Sequence, residues 1–161
     1  MSIIAVIVAA SALSINTSLQ RSRDSRRYID LESIKTALEL HFQARSSYPN
    51  TGGQWWNICT NTTNDPSDHV ADGGWIPGLA PTYIDQLPDD PLECSVTGGW
   101  FNGYIYRSNG TNYKLAGDWT TEVGEKCDNV GDEYYDVVRG PVSPSNGRFF
   151  CSISTPGAVW W

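Results

Sequence analysis

The stretch Ile3-Ile4-Ala5-Val6-Ile7-Val8-Ala9-Ala10-Ser11-Ala12-Leu13-Ser14-Ile15 opens the chain and decides its fold. It passes into a charged segment, Leu19 to Arg45, without a Pro or a Gly. Because Pro and Gly are the residues that most disfavour a helix interior, we predict one continuous spine helix over residues 1–45. Its first part, 1–18, is hydrophobic and suited to a membrane or a filament core. Its second part, 19–45, is amphipathic.

The amphipathic part carries apolar side chains at spacings of three and four, which is typical of a helix with one packed face. These residues are Tyr28, Leu31, Ile34, Leu38 and Phe42, and the stripe is widened by Ala37, Leu40 and His41. Arg23, Arg27, Asp30 and Lys35 are expected on the flanks or on the opposite face. Pro49 disfavours helix at Tyr48, so the helix ends there and its apolar stripe must be covered by the remainder of the chain.

The strongest strand signal in the second part of the chain is a hairpin pattern. Residues 103–107 and 111–116 alternate aromatic and polar side chains around Ser108-Asn109-Gly110, and Asn-Gly favours a hairpin turn. We expect Ile105 and Leu115 to face the helix, in competition with the neighbouring tyrosines. Further candidate strands cover residues 119–123, 134–138 and 148–153. The predicted fold class is α+β: a long N-terminal helix with an antiparallel sheet of three to five strands packed on its C-terminal half.

Four cysteines lie after the helix: Cys59, Cys94, Cys127 and Cys151. None forms a CxxC pair and neither histidine lies at metal-ligand spacing from them, which disfavours zinc. Two disulfides in an oxidising compartment fit better than four buried thiols. Three pairings are open, and we favour the sequential one, since each bond then closes a loop-rich segment and contributes roughly 3–4 kcal/mol. Residues 46–161 are therefore predicted to form a disulfide-stapled globular head.

The net charge of −7 is unevenly distributed. Residues 21–45 contain six basic and four acidic side chains, whereas residues 46–161 contain five basic and fourteen acidic ones, a charge of −9 for the head. An acidic head argues against nucleic acid as a partner, because that binding depends on neutralising phosphates. The basic cluster from Arg21 to Arg27 has the position of a membrane-surface anchor, and a solvated helix face is the alternative.

The hydrophobic run is too short to span a bilayer alone, since spanning needs about 20 apolar residues. It also lacks the basic start and cleavage site of a signal peptide. We therefore expect the run to be the end of a longer span.

Several segments together resemble type IV pilins and the pseudopilins of type II secretion. They are the hydrophobic start, Arg23-Asp24-Ser25-Arg26-Arg27, Ile34-Lys35-Thr36-Ala37-Leu38-Glu39, Leu87-Pro88-Asp89-Asp90-Pro91, and Tyr104-Ile105-Tyr106 followed by Gly110, Tyr113 and Leu115. The resemblance covers about residues 1–117. The basic leader, the peptidase cleavage site, the aromatic first residue and the Glu of these families are not in this sequence. We expect about nine residues to precede Met1, which would complete the span.

The resemblance implies a structural subunit of an extracellular pilus-like filament, a homo-polymer held together by the hydrophobic helix. The filament-core residues would be Ile3, Ile4, Val6, Ile7, Val8, Leu13 and Ile15. It further implies a prepilin peptidase and an inner-membrane assembly machinery as partners. The protein would lie in the inner membrane before assembly and at the cell surface afterwards. The alternatives are a pseudopilin of a type II secretion system and a membrane-anchored domain whose aromatic head binds a glycan.

Signals for chemistry in the sequence are weak. GxSxG, HExxH, P-loop and GxGxxG elements are absent, so we expect no enzyme. Asp128 and Asp132, in an acidic stretch, are candidate calcium ligands, and major pseudopilins carry a calcium in this general region. A solvated loop is the alternative, and no other cofactor is expected. Asn61, in Asn61-Thr62-Thr63, is a candidate glycosylation site, whereas Asn109 is assigned to the hairpin turn.

Overall fold

The computed structural model describes residues 2–57, 74–92, 95–97, 100–140 and 147–161, with backbone only over 2–14, 95–97 and 100–102. The predicted Cys59–Cys94 disulfide and the candidate glycosylation site at Asn61 lie outside these residues and stay predictions. The elements in order are α1 (Ser2–Arg45), β1 (Trp55–Asn57), β2 (Ser95–Thr97), β3 (Trp100–Ser108), β4 (Tyr113–Thr121), β5 (Phe149–Ser154) and a 3-10 turn (Pro156–Ala158).

The helix α1 is continuous, as its lack of breakers predicts. Most of its predicted apolar stripe is buried in the core: Tyr28, Leu31, Ile34, Ala37 and Leu38. The prediction that Leu40 and Phe42 belong to the packed stripe is wrong, since they are 46 % and 37 % exposed. Phe42 lies in the last turn, where one ring face stacks on Tyr48 with centroids 4.7 Å apart. The fully buried part of the helix therefore ends at about Leu38, and the last turn contacts the head through the less buried His41 and Phe42.

None of the helices in the described part of the chain combines the length and the hydropathy that a membrane crossing requires.

The strands form an antiparallel sheet in the order β1-β3-β4-β5, with β2 paired to the first residues of β3. The helix and the sheet together confirm the α+β class. The hairpin of β3 and β4 is the predicted one, and Asn109 makes its loop by accepting hydrogen bonds from the N–H groups of Thr111 and Asn112. The strand predicted at 148–153 is confirmed as β5.

Two predicted strands are wrong. Residues 119–121 are the end of β4, not a separate strand, and Trp119, at φ 51°, lies in the register shift between Gly117 and Thr121. Residues 134–138 contain a single bridge, Tyr135 to Cys151. Asp136 turns the chain there, because its carboxylate accepts hydrogen bonds from the N–H groups two and three residues later. Short acceptors of this kind favour turns over strands.

The sheet has two chemically different faces. Tyr106 lies opposite Leu115 and Ile105 lies opposite Ala116. Because side chains alternate along a strand, Ile105 and Leu115 point to opposite faces, which corrects the expectation that both meet the helix. The inner face, toward α1, carries the buried Tyr104, Tyr106, Tyr113 and Leu115. The outer face carries a second small cluster of Ile105, Ala116 and Phe150.

One disulfide joins Cys127 to Cys151, with their Cα atoms 5.4 Å apart and a sequence separation of 24. This is the second bond of the favoured sequential pairing. It ties the loop after β4 to β5, so the long connection between these strands is closed at its base.

Candidate assembly surface

The residues predicted to form a filament core all lie in α1. For Ile3, Ile4, Val6, Ile7, Val8 and Leu13 the structure gives the helical backbone. Ile15 is the one whose side chain is described, and it is 60 % exposed. All seven residues therefore lie on one continuous helix.

Large aliphatic side chains continue along the exposed side of α1 beyond the predicted core. We call this set the apolar ridge: Ile15, Leu19, Ile29 and Leu40, which are 60 %, 52 %, 68 % and 46 % exposed. At about 100° per residue, these four fall within an arc of roughly 80°. Their shared side of the helix therefore carries four exposed apolar side chains, with the exposed Arg26 between Leu19 and Ile29.

The ridge lies mainly on the side of α1 opposite its packed face, and at Ile29 it borders the head loop that follows β4. Asp24, Leu31 and Leu38, which are buried against the head, lie roughly 140–180° around the helix from Ile15. Sequence reasoning missed the ridge because it looked for one packed stripe and assigned Leu40 to it. The signal was present in Ile29, an aliphatic residue that the stripe does not include.

An open groove runs beside the ridge, between α1 and the loop that follows β4. Its lining residues are Ser25, Tyr28, Ile29, Glu32, Lys126 and Tyr134. Tyr28 and Tyr134 stack with centroids 5.0 Å apart, and the Lys126 ammonium lies 5.3 and 5.6 Å from the two rings. Because Ile29 belongs to both features, the groove and the ridge form one contiguous surface.

A buried ion-pair cluster fixes α1 to the head. Arg27 donates two parallel hydrogen bonds to Asp90, Nε to Oδ2 at 2.7 Å and Nη2 to Oδ1 at 2.9 Å. Its Nη1 donates to Asp24 at 2.8 Å. The side chains of Arg27 and Asp90 are 1 % and 2 % exposed. The expectation that Arg27 lies on a flank or on the opposite face is therefore wrong.

Asp24 extends this cluster to the end of β4. Its carboxylate accepts hydrogen bonds from the backbone N–H groups of Glu122, Val123 and Gly124, at 2.9, 2.7 and 3.3 Å. Arg23 in turn donates to both oxygens of Glu122, at 2.7 and 3.0 Å. We call the set Arg23, Asp24, Arg27, Asp90 and Glu122 the helix clasp.

The helix clasp keeps the buried Arg27 charged. Burial opposes the charge on Arg27, but the hydrogen bonds and the attraction of Asp90 and Asp24 outweigh it and raise the pKa of Arg27. The predicted membrane-surface anchor, or solvated face, is thus wrong for Arg23 and Arg27, whose partners lie in the head. Arg21 and Arg26 stay exposed, and Arg21 pairs with Glu125 at 2.9 Å.

The candidate calcium ligands lie on the loop after Cys127. Asp132 Oδ2 accepts a hydrogen bond from the Asn129 N–H at 2.9 Å, and the exposed Asp128 contacts the Asn129 side chain. Within the described ranges, no group of three or more His, Cys, Asp or Glu side chains converges on one point. Calcium binding by Asp128 and Asp132 stays a prediction.

Comparison with protein-family models gives no match, and searches of the curated proteins and of the solved structures give none either.

Proposed function

We propose that this protein is the structural subunit of an extracellular pilus-like filament, polymerising through α1. The observation that carries the proposal is the apolar ridge on the side of the helix opposite its packed face. Exposed aliphatic side chains that recur on one side of a helix are costly in water. Packing against the same helix of a neighbouring copy would remove it from water.

The geometry of such a contact favours an open polymer. A ridge on one copy that packs against the side of the next makes a heterologous contact, and a heterologous contact that does not close gives a helical filament. Small and short side chains between the ridge residues, such as Ser22, Ser33 and Thr36, permit close approach of neighbouring helices. The groove beside Ile29 widens the surface that a neighbour can cover.

The helix clasp also supports the proposal, because it fixes the helix to the head. Arg23 and Asp24 join α1 to the head, and Ser2 lies about 31 Å before Arg23 along the helix. The clasp fixes the orientation of the helix relative to the head. A rigid orientation is what a regular lattice of subunits needs.

Location and partners are part of this proposal. Before assembly the hydrophobic segment would lie in the inner membrane, and afterwards in the filament core at the cell surface. A prepilin peptidase and an inner-membrane assembly machinery would act on it, as in the families that the sequence resembles. Head disulfides such as Cys127–Cys151 suit that oxidising environment.

The test is an Ile29→Asp substitution in the full chain, expressed in cells that assemble the protein. Ile29 lies outside the hydrophobic segment, so the variant keeps its membrane affinity and its folded head while a charge interrupts the ridge. We expect filaments, scored by electron microscopy of sheared cell-surface material, to disappear. The matched control is Val130→Asp, since Val130 is 83 % exposed on a head loop. Unchanged filaments in Ile29→Asp would contradict the proposal.

Filament length, together with enzyme export after deletion of the protein, separates the related alternatives. Long surface fibres support the pilus-like subunit. Loss of enzyme export on deletion, without surface fibres, would replace it with a secretion pseudopilin. Only monomeric membrane-bound protein would replace it with an anchored binding domain.

A further inference from the structure

The outer face of the sheet carries a charge arrangement that the filament proposal does not use. Arg107 on β3 lies directly opposite Trp55 on β1 and Lys114 on β4. Two cations directly opposite each other on neighbouring strands destabilise a sheet. An unfavourable pair of like charges within a sheet is expected mainly at functional sites.

Aromatic rings hold the cations on this face. The Arg107 guanidinium carbon lies 5.1 Å from the ring centroid of Trp161 and 5.8 Å from that of Trp55. The Arg139 guanidinium carbon lies 4.9 Å from the ring centroid of Trp55 and 4.7 Å from that of Phe150. Stacking of this kind orients a guanidinium while leaving its edge free to bind an anion.

The carboxylates nearby do not balance Arg107. Lys114 Nζ pairs with Asp136 at 2.7 Å, and Arg139 Nη1 lies 4.0 Å from the same carboxylate and donates to the Trp161 main-chain oxygen at 2.8 Å. Among the described residues, Arg107 has no carboxylate within ion-pair distance, and its buried Nε has no hydrogen-bond partner. Lys114 and Arg139 share Asp136, and Arg139 also acts on Asp118 on the same face of β4. Arg107 is thus left without a carboxylate partner among the described residues, in a head whose overall charge is −9.

We propose that this cation–indole patch, formed by Trp55, Arg107, Arg139 and Trp161, binds a carboxylate-bearing sugar such as a uronic acid unit of an acidic polysaccharide. Because the Nε of Arg107 is buried, the two terminal Nη groups are the donors that would give the sugar carboxylate two parallel hydrogen bonds. Trp160, the neighbour of Trp161 in the chain, is 78 % exposed, and in this proposal its indole supplies a flat apolar face for the sugar ring. The acidic head repels densely charged polyanions, so a ligand with one carboxylate per ring fits better than nucleic acid.

The experiment is calorimetric titration of the full chain with a galacturonic acid trisaccharide, with the neutral galactose trisaccharide as the matched ligand. We expect the acidic sugar to bind at least about tenfold more tightly than the neutral one. Arg107→Gln is expected to remove that preference, whereas Arg45→Gln, at the exposed end of α1, should keep it. Trp160→Ala should weaken both sugars by a similar factor.

Circular dichroism of each variant checks the fold, and Trp160→Ala remains informative if Arg107→Gln fails to fold, because Trp160 is largely exposed. Equal affinity for the two sugars, or no heat with the acidic one, would overturn the proposal. Self-association of the chain that Arg107→Gln abolishes, without any sugar binding, would also overturn it and assign the patch to a contact between copies. None of these outcomes depends on whether filaments form.

Discussion

Two buried ionic sites hold this head together, and their charge balances are opposite. In the helix clasp, Arg23 and Arg27 face three carboxylates, those of Asp24, Asp90 and Glu122. On the outer face, Lys114 and Arg139 share the carboxylate of Asp136, Arg107 has no carboxylate within ion-pair distance among the described residues, and Asp118 is the second carboxyl of this face. The first site has an excess of negative charge and the second an excess of positive charge.

The pKa shifts of the basic residues follow the charge balance of each site. In the helix clasp the pKa of Arg27 is raised, because its carboxylate partners outweigh the cost of burial. On the outer face the pKa of Lys114 is lowered by burial and by Arg139 and Arg107, although Asp136 opposes this. Burial raises the pKa of Asp136, but its bonds to Lys114 and to backbone N–H outweigh that, and the pKa is lowered. Arginines that are fully paired with carboxylates lock an element in place, whereas an arginine without a carboxylate partner leaves capacity for a ligand.

The largest effect is expected from Asp90→Asn, which breaks the helix clasp. The change leaves Arg27 buried without its main charge partner, and loss of one partner of a buried pair costs about 3–5 kcal/mol. Urea unfolding of the full chain measures the loss. Asp89→Asn is the matched control, because Asp89 is the exposed neighbour and should change stability by less than about 0.5 kcal/mol. Similar losses in both variants would show that the clasp does not fix α1.

The next largest effect is expected from Lys114→Met on the outer face. It leaves Asp136 buried with its backbone donors, Ser152 and the more distant Arg139, at a cost of about 2–4 kcal/mol. The double variant Lys114→Met, Asp136→Leu removes both charges and should recover most of that loss, because buried pairs replaced by apolar groups are often nearly neutral. A double variant no more stable than the single one would mean that Asp136 acts mainly through its turn, where it accepts from Val138 and Arg139 N–H.

Local patterns in the sequence predicted most of the fold. The absence of breakers indicated α1, the spacing of Leu31, Ile34 and Leu38 indicated its packed face, and Asn109-Gly110 indicated the hairpin. The incorrect face for Ile105 came from ignoring strand register, which the turn length sets. Residues 134–138 look β-forming in composition, but Asp136 in their centre turns the chain.

The helix clasp could not be predicted in the same way. Arg27 lies 63 residues from Asp90, and Arg23 lies 99 residues from Glu122. Helical spacing places Arg27 on the packed face, four residues before Leu31 and seven before Ile34, but its charge led to the expectation of a flank position. Partners so distant in sequence are brought together only by the packing of the helix on the sheet. The apolar ridge was predictable in principle, because its residues lie on one helix.

A smaller effect is expected from Asp118→Asn, and this substitution should raise the stability of the fold rather than lower it. Burial raises the pKa of Asp118 to about 7, although Arg139 opposes the shift. The folded state therefore holds this proton more tightly than the unfolded state, whose pKa is about 4. The associated stability is present below about pH 4 and is lost as the pH rises toward 7. The Asn variant should match the parent at pH 4 and exceed it by about 1–3 kcal/mol at pH 8.

Urea unfolding at both pH values tests the Asp118 prediction. A variant less stable than the parent at pH 8 would show that the Asp118 carboxylate is needed there to offset Arg139. That result would also reduce the positive excess assigned to the outer face.

The smallest effect is expected from Arg21→Ala, which tests where the helix clasp ends. Arg21 and Glu125 form a 2.9 Å pair, but their side chains are 59 % and 58 % exposed. Water and salt screen such a pair, so its loss should cost less than about 0.5 kcal/mol and the difference should vanish in about 1 M salt. Arg23→Ala is the matched comparison deeper in the clasp, since its partner Glu122 is 8 % exposed. A cost for Arg21→Ala as large as that for Arg23→Ala would extend the clasp toward the hydrophobic segment and shorten the part of α1 free to pack against another copy.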